Sequence, residues 1–139
     1  TPTHYLPTIL PALSPKLPVP VIYNCGGYER VETLKELEGK VDIYLPDMKY
    51  GDNELGARLS GTKDYVNYAT AAIREMVRQT GPVQWKGDKV IRGTVIRHLI
   101  LPGHVDNSLH NSNTRNAPAG EHYECILPQT TRRSAPTHE

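Results

Sequence analysis

Three runs of apolar residues in this chain each break off into a polar cluster. Val21-Ile22-Tyr23 runs into Asn24-Cys25-Gly26-Gly27, Val41 to Leu45 into Pro46-Asp47-Met48-Lys49, and Val95 to Leu101 into Pro102-Gly103-His104. That repetition is the mark of parallel strands whose carboxyl ends share one site, because in βα-type sheets ligands bind where strands stop and loops begin. The chemistry is therefore expected on three separated segments.

Between the runs the apolar period changes from strand to helix. Leu6, Ile9, Leu10 and Leu13 have helical spacing with Thr3 placed to cap, but Pro11 removes an internal hydrogen bond, so this helix is expected to be short or kinked. Ser14 to Pro20 reads as a proline-rich loop before the strand Val21 to Asn24. Arg30 to Glu38 puts Val31, Leu34 and Leu37 on one face and ends at Gly39, which predicts a helix of two to three turns. Gly51 to Gly61 reads as a polar loop. Tyr65, Ala69, Ala72 and Met76, joined by Ile73 and Val77, then form the clearest helical stripe, with Thr62 as cap and Gly81-Pro82 as stop. Val83 to Trp85 and Lys89 to Ile91 flank Lys86-Gly87-Asp88 as a hairpin placed before the third strand, Thr94 to Leu101.

The resulting order, β-α-β-α-hairpin-β, predicts right-handed crossovers and a parallel sheet or part of a barrel. The fold class is α/β: a partial (β/α) barrel fragment with about three parallel βα units and an inserted hairpin. It is expected over residues 1–106, with 107–139 as an irregular tail. Asn107 to Asn116 is rich in Asn and Ser, and Thr130 to Glu139 has no periodicity, so the tail is expected to be poorly ordered, with Tyr123 to Leu127 at most a short docked segment.

Composition narrows the partners. A chain of 139 residues with 37% hydrophobic and 22% charged residues is ordinary for one globular domain. A formal net charge of +1 without a basic block argues against a nucleic-acid surface, and no run approaches the roughly 20 apolar residues of a membrane span. Two cysteines, Cys25 and Cys125, provide neither a disulfide framework nor a four-cysteine zinc site, so a cytoplasmic setting is expected. The start Thr1-Pro2-Thr3-His4 lacks a Met and a signal-peptide pattern, which suggests a chain that begins inside a longer protein.

Each polar cluster has a functional and a structural reading. Asp47 and Lys49, two apart, point to the same side of a strand end, where a paired anion and cation can hold a zwitterion or a ribose. The alternative is a structural ion pair. Asn24-Cys25-Gly26-Gly27 offers an amide followed by residues that let backbone approach a ligand, or simply a strand-to-helix turn that needs glycine. Cys25 has no base nearby in sequence and is not read as a nucleophile. Arg97 is a charge inside an apolar run and requires a partner, either a ligand or one of the acidic residues. His98, His104 and Asp106 match no closed zinc spacing, and His122 with Cys125 amounts to half a site.

Taken together, four segments resemble the later half of radical S-adenosylmethionine proteins, in the branch similar to pyruvate formate-lyase activating enzyme. They are Thr1-Pro2-Thr3-His4-Tyr5, Tyr23-Asn24-Cys25-Gly26-Gly27-Tyr28-Glu29-Arg30, Asp42-Ile43-Tyr44-Leu45-Pro46-Asp47-Met48-Lys49-Tyr50 and Ile96-Arg97-His98-Leu99-Ile100-Leu101-Pro102-Gly103, covering about residues 1 to 108 in order. The resemblance implies a partial (β/α)6 barrel with a 4Fe-4S cluster on a CxxxCxxC loop, where reductive cleavage of S-adenosylmethionine yields a 5′-deoxyadenosyl radical. It also implies that Thr1 to His4, with Thr3 and His4 as cofactor-binding residues, stands where many members place a Gly-Gly-Glu-Pro segment that holds the methionyl amino group. Asn24 and Cys25 fall at an Asp-Thr pair of activating enzymes, and Asp47, Lys49 and Arg97 line the cofactor pocket. The implied partner is a protein substrate of the parent enzyme.

The chain departs from that pattern. Cysteines 100 residues apart cannot form CxxxCxxC, and the tail after Asp106 does not look like the family's final strand and helix. The expected function is the S-adenosylmethionine-binding half of a radical oxidoreductase, inactive alone. The alternative is a non-catalytic α/β fragment that binds a small ligand or a protein partner, or associates with itself through an exposed sheet edge. Because a site-differentiated cluster needs three thiolates close together, anaerobic reconstitution of this chain is expected to give no stable 4Fe-4S absorbance. Four irons bound per chain with the cluster's visible spectrum would contradict it.

Overall fold

Strand and helix periods resolve into five strands and four helices in the computed structural model, which describes residues 3–13, 17–106 and 124–126. A 3-10 turn, Thr3–Tyr5, leads into α1 (Leu6–Leu13), an 8-residue helix, short as expected, that runs through Pro11. Then follow β1 (Ile22–Cys25), α2 (Val31–Lys35), β2 (Ile43–Met48), α3 (Asn53–Ser60), α4 (Tyr65–Thr80), β3 (Gln84–Lys86), β4 (Lys89–His98) and β5 (Glu124–Ile126). No helix among the described residues is long and apolar enough to cross a membrane.

The strands form one mostly parallel sheet, ordered β1-β2-β4-β3, with β5 also paired to β4. β1 runs parallel to β2 and β2 to β4, while β3 is antiparallel to the first part of β4 and β5 parallel to its later part. The expected α/β architecture is thus present as an open sheet. The register sets Asn24 opposite Leu45 and Asp47 opposite Arg97, so these residues share one face. Tyr23, Cys25, Tyr44, Met48 and Ile96 occupy the other and pack against the helices.

The helix-covered face holds the core. One cluster joins Leu10, Tyr23, Cys25, Leu34, Leu37, Val41, Tyr44, Ala72 and Met76; a second joins Met48, Tyr65, Ala69, Ile73 and Ile96. The stripe on α4 is the one its spacing predicts, and its alanines, fully buried, let the helix axis approach the middle strands closely.

Several boundaries differ from expectation. β2 continues through Asp47 and Met48, because these residues still pair with Arg97 and His98 of β4, and the third strand stops at His98 short of Leu101. The hairpin arm and the third strand are one continuous β4, with Gly93 pressed so close to Val83 that a Cβ would lie 2.8 Å from the Val83 Cα. The span from Gly51 to Gly61 is not a loop but carries α3. The Asp52 carboxylate accepts the Leu55 N–H at 2.6 Å, and Gly61 closes the helix with φ 72. Its glycine Gly56 serves packing, since a Cβ there would meet Thr62 O and Tyr65 Cβ at 3.1 Å. α2 ends at Lys35, after which i to i+3 bonds such as Leu37 N–H to Leu34 O at 2.9 Å carry the turn onward. Thr62 does not cap α4; Asp64 holds that position, and Asn53 of α3 accepts the Val66 N–H at 2.8 Å. Of the tail, Glu124–Ile126 forms β5, inside the segment expected to dock, and the rest of 107–139 lies outside the described residues.

At the amino-terminal end of the sheet, a polar network ties α2, α4 and β2 together. Arg78 bonds Glu75 and Glu38 at 2.8 Å each, Gln79 donates to Glu75 and to the Leu34 carbonyl, and Tyr44 donates to Gln79 at 2.7 Å. Hydrogen bonds from Arg78, and secondarily from Gln79, hold the Glu75 carboxyl below the usual carboxylate range despite its burial. A carboxyl whose folded pKa is depressed stabilises the fold above its unfolded value, near pH 4.3, and loses that contribution as pH falls through the folded value. The urea midpoint of the chain is therefore expected to fall on acidification below about pH 4.3, and less steeply in Glu75→Gln. Equal slopes for the two proteins would assign the acid sensitivity elsewhere.

Candidate functional site

At the carboxyl ends of β1, β2 and β4, on the face away from the described helices, one guanidinium joins three neighbouring strands. Arg97 donates from Nε to Asp47 Oδ1 at 2.8 Å, its Nη2 lies 2.7 Å from the same oxygen, and Nη2 also donates to Asn24 Oδ1 at 2.8 Å. The local reason is register. Asp47 lies directly opposite Arg97, and Asn24 is on the strand beyond, so all three side chains leave the same face.

The three groups remain reachable. The Arg97 and Asp47 side chains are 43% and 27% exposed, and Asn24 is exposed. Among the described residues, Arg97 Nη1 has no partner, so a planar donor edge is left for an anion or a carboxylate. Lys49 approaches from the end of β2, with Nζ 3.9 Å from where a Cβ on Gly26 would sit. Gly27 takes φ 77, and a Cβ there would fall 2.0 Å from the Asp47 carbonyl oxygen, so the turn after β1 closes onto β2 only with glycine.

The other sequence-derived candidates lie elsewhere. Cys25 is on the opposite face from Asn24, buried in the core, and burial pushes its thiol up to about 12. At neutral pH it is a protonated packing residue. Thr3 is buried and part of a relay in which its hydroxyl shares a 2.5 Å hydrogen bond with the Tyr23 phenol and donates to Glu29 at 2.8 Å. Burial raises the Tyr23 pKa, which keeps that phenol protonated. His4 is exposed beside Tyr5, with ring centroids 4.0 Å apart. His98 is buried, with Nδ1 2.7 Å from the Met48 carbonyl oxygen. Among the described residues, no group of three His, Cys, Asp or Glu side chains is arranged to hold a metal.

Sequence reasoning overlooked two features of this edge. Tyr65 was legible only as a core residue of α4, yet its hydroxyl accepts the Lys49 N–H at 2.8 Å and donates to the Asp47 carbonyl at 3.2 Å. A shallow depression of about 270 Å³ lies farther along, lined by Asp52, Glu54, Leu55, Arg58, Gly103, His104 and Asp106. It shares no residue with the Asn24–Asp47–Arg97 group. The depression takes its walls from α3 and the segment after β4, and no signal in the chain announced that α3 would be there.

Half-exposed ion pairs add little to stability because solvent screens them and two side chains must be ordered. A double-mutant cycle with Asp47→Asn and Arg97→Gln is expected to give a coupling of about 0.2–1 kcal/mol in unfolding free energy. Coupling well above about 3 kcal/mol would mark a buried structural pair instead.

Comparison with known proteins adds a distant anchor. The chain is 38% identical over 106 residues to the uncharacterized protein MJ0674 of Methanocaldococcus jannaschii. The match covers 76% of this chain and 28% of that protein, so the chain spans a little over a quarter of its relative's length. No protein-family model and no solved structure matches the chain.

Proposed function

We propose that this chain is the S-adenosylmethionine-binding half of a radical S-adenosylmethionine oxidoreductase similar to glycyl-radical-enzyme activating proteins. The observation that carries the proposal is the Arg97 guanidinium joining Asn24 and Asp47 across three adjacent parallel strands at their carboxyl ends. Arg97 suits a carboxylate and Asp47 an ammonium or ribose hydroxyls, and these are the groups S-adenosylmethionine presents. Sheet order supports the barrel reading. β1, β2 and β4 follow one another in space as in sequence, and α2 and α4 cover the same face of the sheet, as repeated right-handed crossovers in one direction require.

The residues present do not fit the iron–sulfur cluster. Cys25 is a protonated thiol in the core, and one further cysteine, Cys125, completes the chain's total of two. The share of this segment is to bind and orient the cofactor; ligands for a cluster, and contacts to a protein substrate, would belong to other parts of a cytoplasmic parent enzyme.

A second reading has its own support. β1 pairs with β2 and, among the described residues, with no strand on its other side, and Ile22 on it is 57% exposed. An unpaired edge with an apolar side chain favours association with a partner or a second copy.

Isothermal titration calorimetry of the full chain with S-adenosylmethionine separates the two. One saturable site is expected, weakened roughly 10- to 100-fold in Arg97→Ala, the scale of one or two charge-assisted hydrogen bonds. Arg97→Lys, which keeps the charge without the fork, is expected between the two. Absence of binding, or equal binding by Arg97→Ala, would overturn the cofactor reading. Concentration-dependent mass in light scattering would then favour the edge.

A further inference from the structure

The pairing of β1 with β2 ends at Cys25 opposite Pro46, one residue short of Asp47. Beyond that point a side chain takes the place of the neighbouring strand. The Tyr65 hydroxyl accepts the Lys49 N–H at 2.8 Å and donates to the Asp47 carbonyl at 3.2 Å, so one phenol serves an acceptor within β2 and the donor of the residue that follows it. Residues two apart in a strand direct their backbone groups to the same side, which is why a single oxygen can reach both. Gly27 closes on the same carbonyl from the turn after β1.

The phenol is itself held from several directions. The Tyr28 ring stacks on it with centroids 5.8 Å apart and planes 8° from parallel, and Tyr50 meets it edge-on at 4.9 Å. The Tyr65 side chain is anchored at the first residue of α4 and packed against Gly56 of α3. Burial raises its pKa to about 12, so the hydroxyl keeps its proton throughout the working range.

We infer that Tyr65 is a positioning residue for the Asn24–Asp47–Arg97 site, its hydroxyl fixing the backbone from which Asp47 meets Arg97. Its consequence for ligand binding rests on the cofactor reading above; its hold on β2 does not. A side chain on α4 thereby couples the helix layer to a site on the opposite face of the sheet.

The test compares the unmodified 139-residue chain with Tyr65→Phe and Tyr28→Phe. The Tyr28 hydroxyl bonds Asp64, away from β2, so Tyr28→Phe removes a hydroxyl from the same aromatic cluster without touching the strand end. In Tyr65→Phe, Lys49 amide exchange is expected to quicken at least about tenfold and the Arg97 Nε–H resonance to shift, with both unchanged in Tyr28→Phe. S-adenosylmethionine is expected to bind Tyr65→Phe about tenfold more weakly at unchanged stoichiometry, whereas a merely structural loss lowers the number of competent molecules and leaves the Kd of the remainder alone. Should Tyr65→Phe not fold, 3-fluorotyrosine at position 65 keeps the hydroxyl while strengthening it as a donor, and the Lys49 and Arg97 resonances are again expected to move. Unchanged Lys49 and Arg97 signals in the folded variant would overturn the inference, as would equal shifts in Tyr28→Phe. If the unmodified chain binds no S-adenosylmethionine, the cofactor reading fails and the two resonances still decide the role of Tyr65.

Discussion

The seam between α4 and the middle strands organises the rest of the molecule. Ala69, Ala72 and Met76 are fully buried, and they meet Tyr44 and Met48 of β2 and Ile96 of β4. Because strand side chains alternate, burying Met48 and Ile96 beneath the helix sends Asp47 and Arg97 to the opposite face. A slip of one residue in the register would exchange the faces, placing a charge under the alanines and a methionine in water. Packing apolar surface on one side thus fixes where the polar site is built on the other.

The two ends of the sheet do different work. At the amino-terminal end, Arg78, Glu38, Glu75 and Gln79 tie α2 and α4 to each other and to Tyr44 at the start of β2. These contacts fasten the layers to one another. At the carboxyl end, strand ladders stop, and backbone groups there need partners from the turns and helices that succeed each strand. Asp52 and Asn53 satisfy the first turns of α3 and α4, and Tyr65 satisfies Asp47 near the end of β2 and Lys49 just beyond it. The site lies among these substitutes for strand pairing, where side chains from successive loops already converge.

Glycine acts at this end by letting backbone come near. Gly27 places the turn after β1 directly against the Asp47 carbonyl, and Gly56 lets α3 lie against Tyr65. Neither contact leaves space for a Cβ. A loop reading of Asn24 to Gly27 and of Gly51 to Gly61 accounts for glycine as punctuation, whereas here it brings two elements within reach of the same strand end.

Hydrophobic periodicity carried the element types with the exception of α3, whose polar span reads as a loop. The α4 stripe, the parallel strands and a short segment docking near Cys125 are local or nearly local patterns, and local spacing is what a single sequence records. The residues Asn24, Asp47, Lys49 and Arg97 could be named because each ends or interrupts an apolar run. What the chain did not disclose were facts of partnership between distant residues. The turn of Cys25 into the core, the engagement of Thr3 with Tyr23 and Glu29, and the continuation of β2 through Asp47 all depend on neighbours brought close by folding. So does α3, whose polar, glycine-containing span becomes a helix because Asp52 caps it and Tyr65 packs on Gly56. Spacing along a chain encodes which face a side chain takes. Only tertiary structure decides what that face meets, because the meeting partners lie tens of residues away and the register between strands sets their distance.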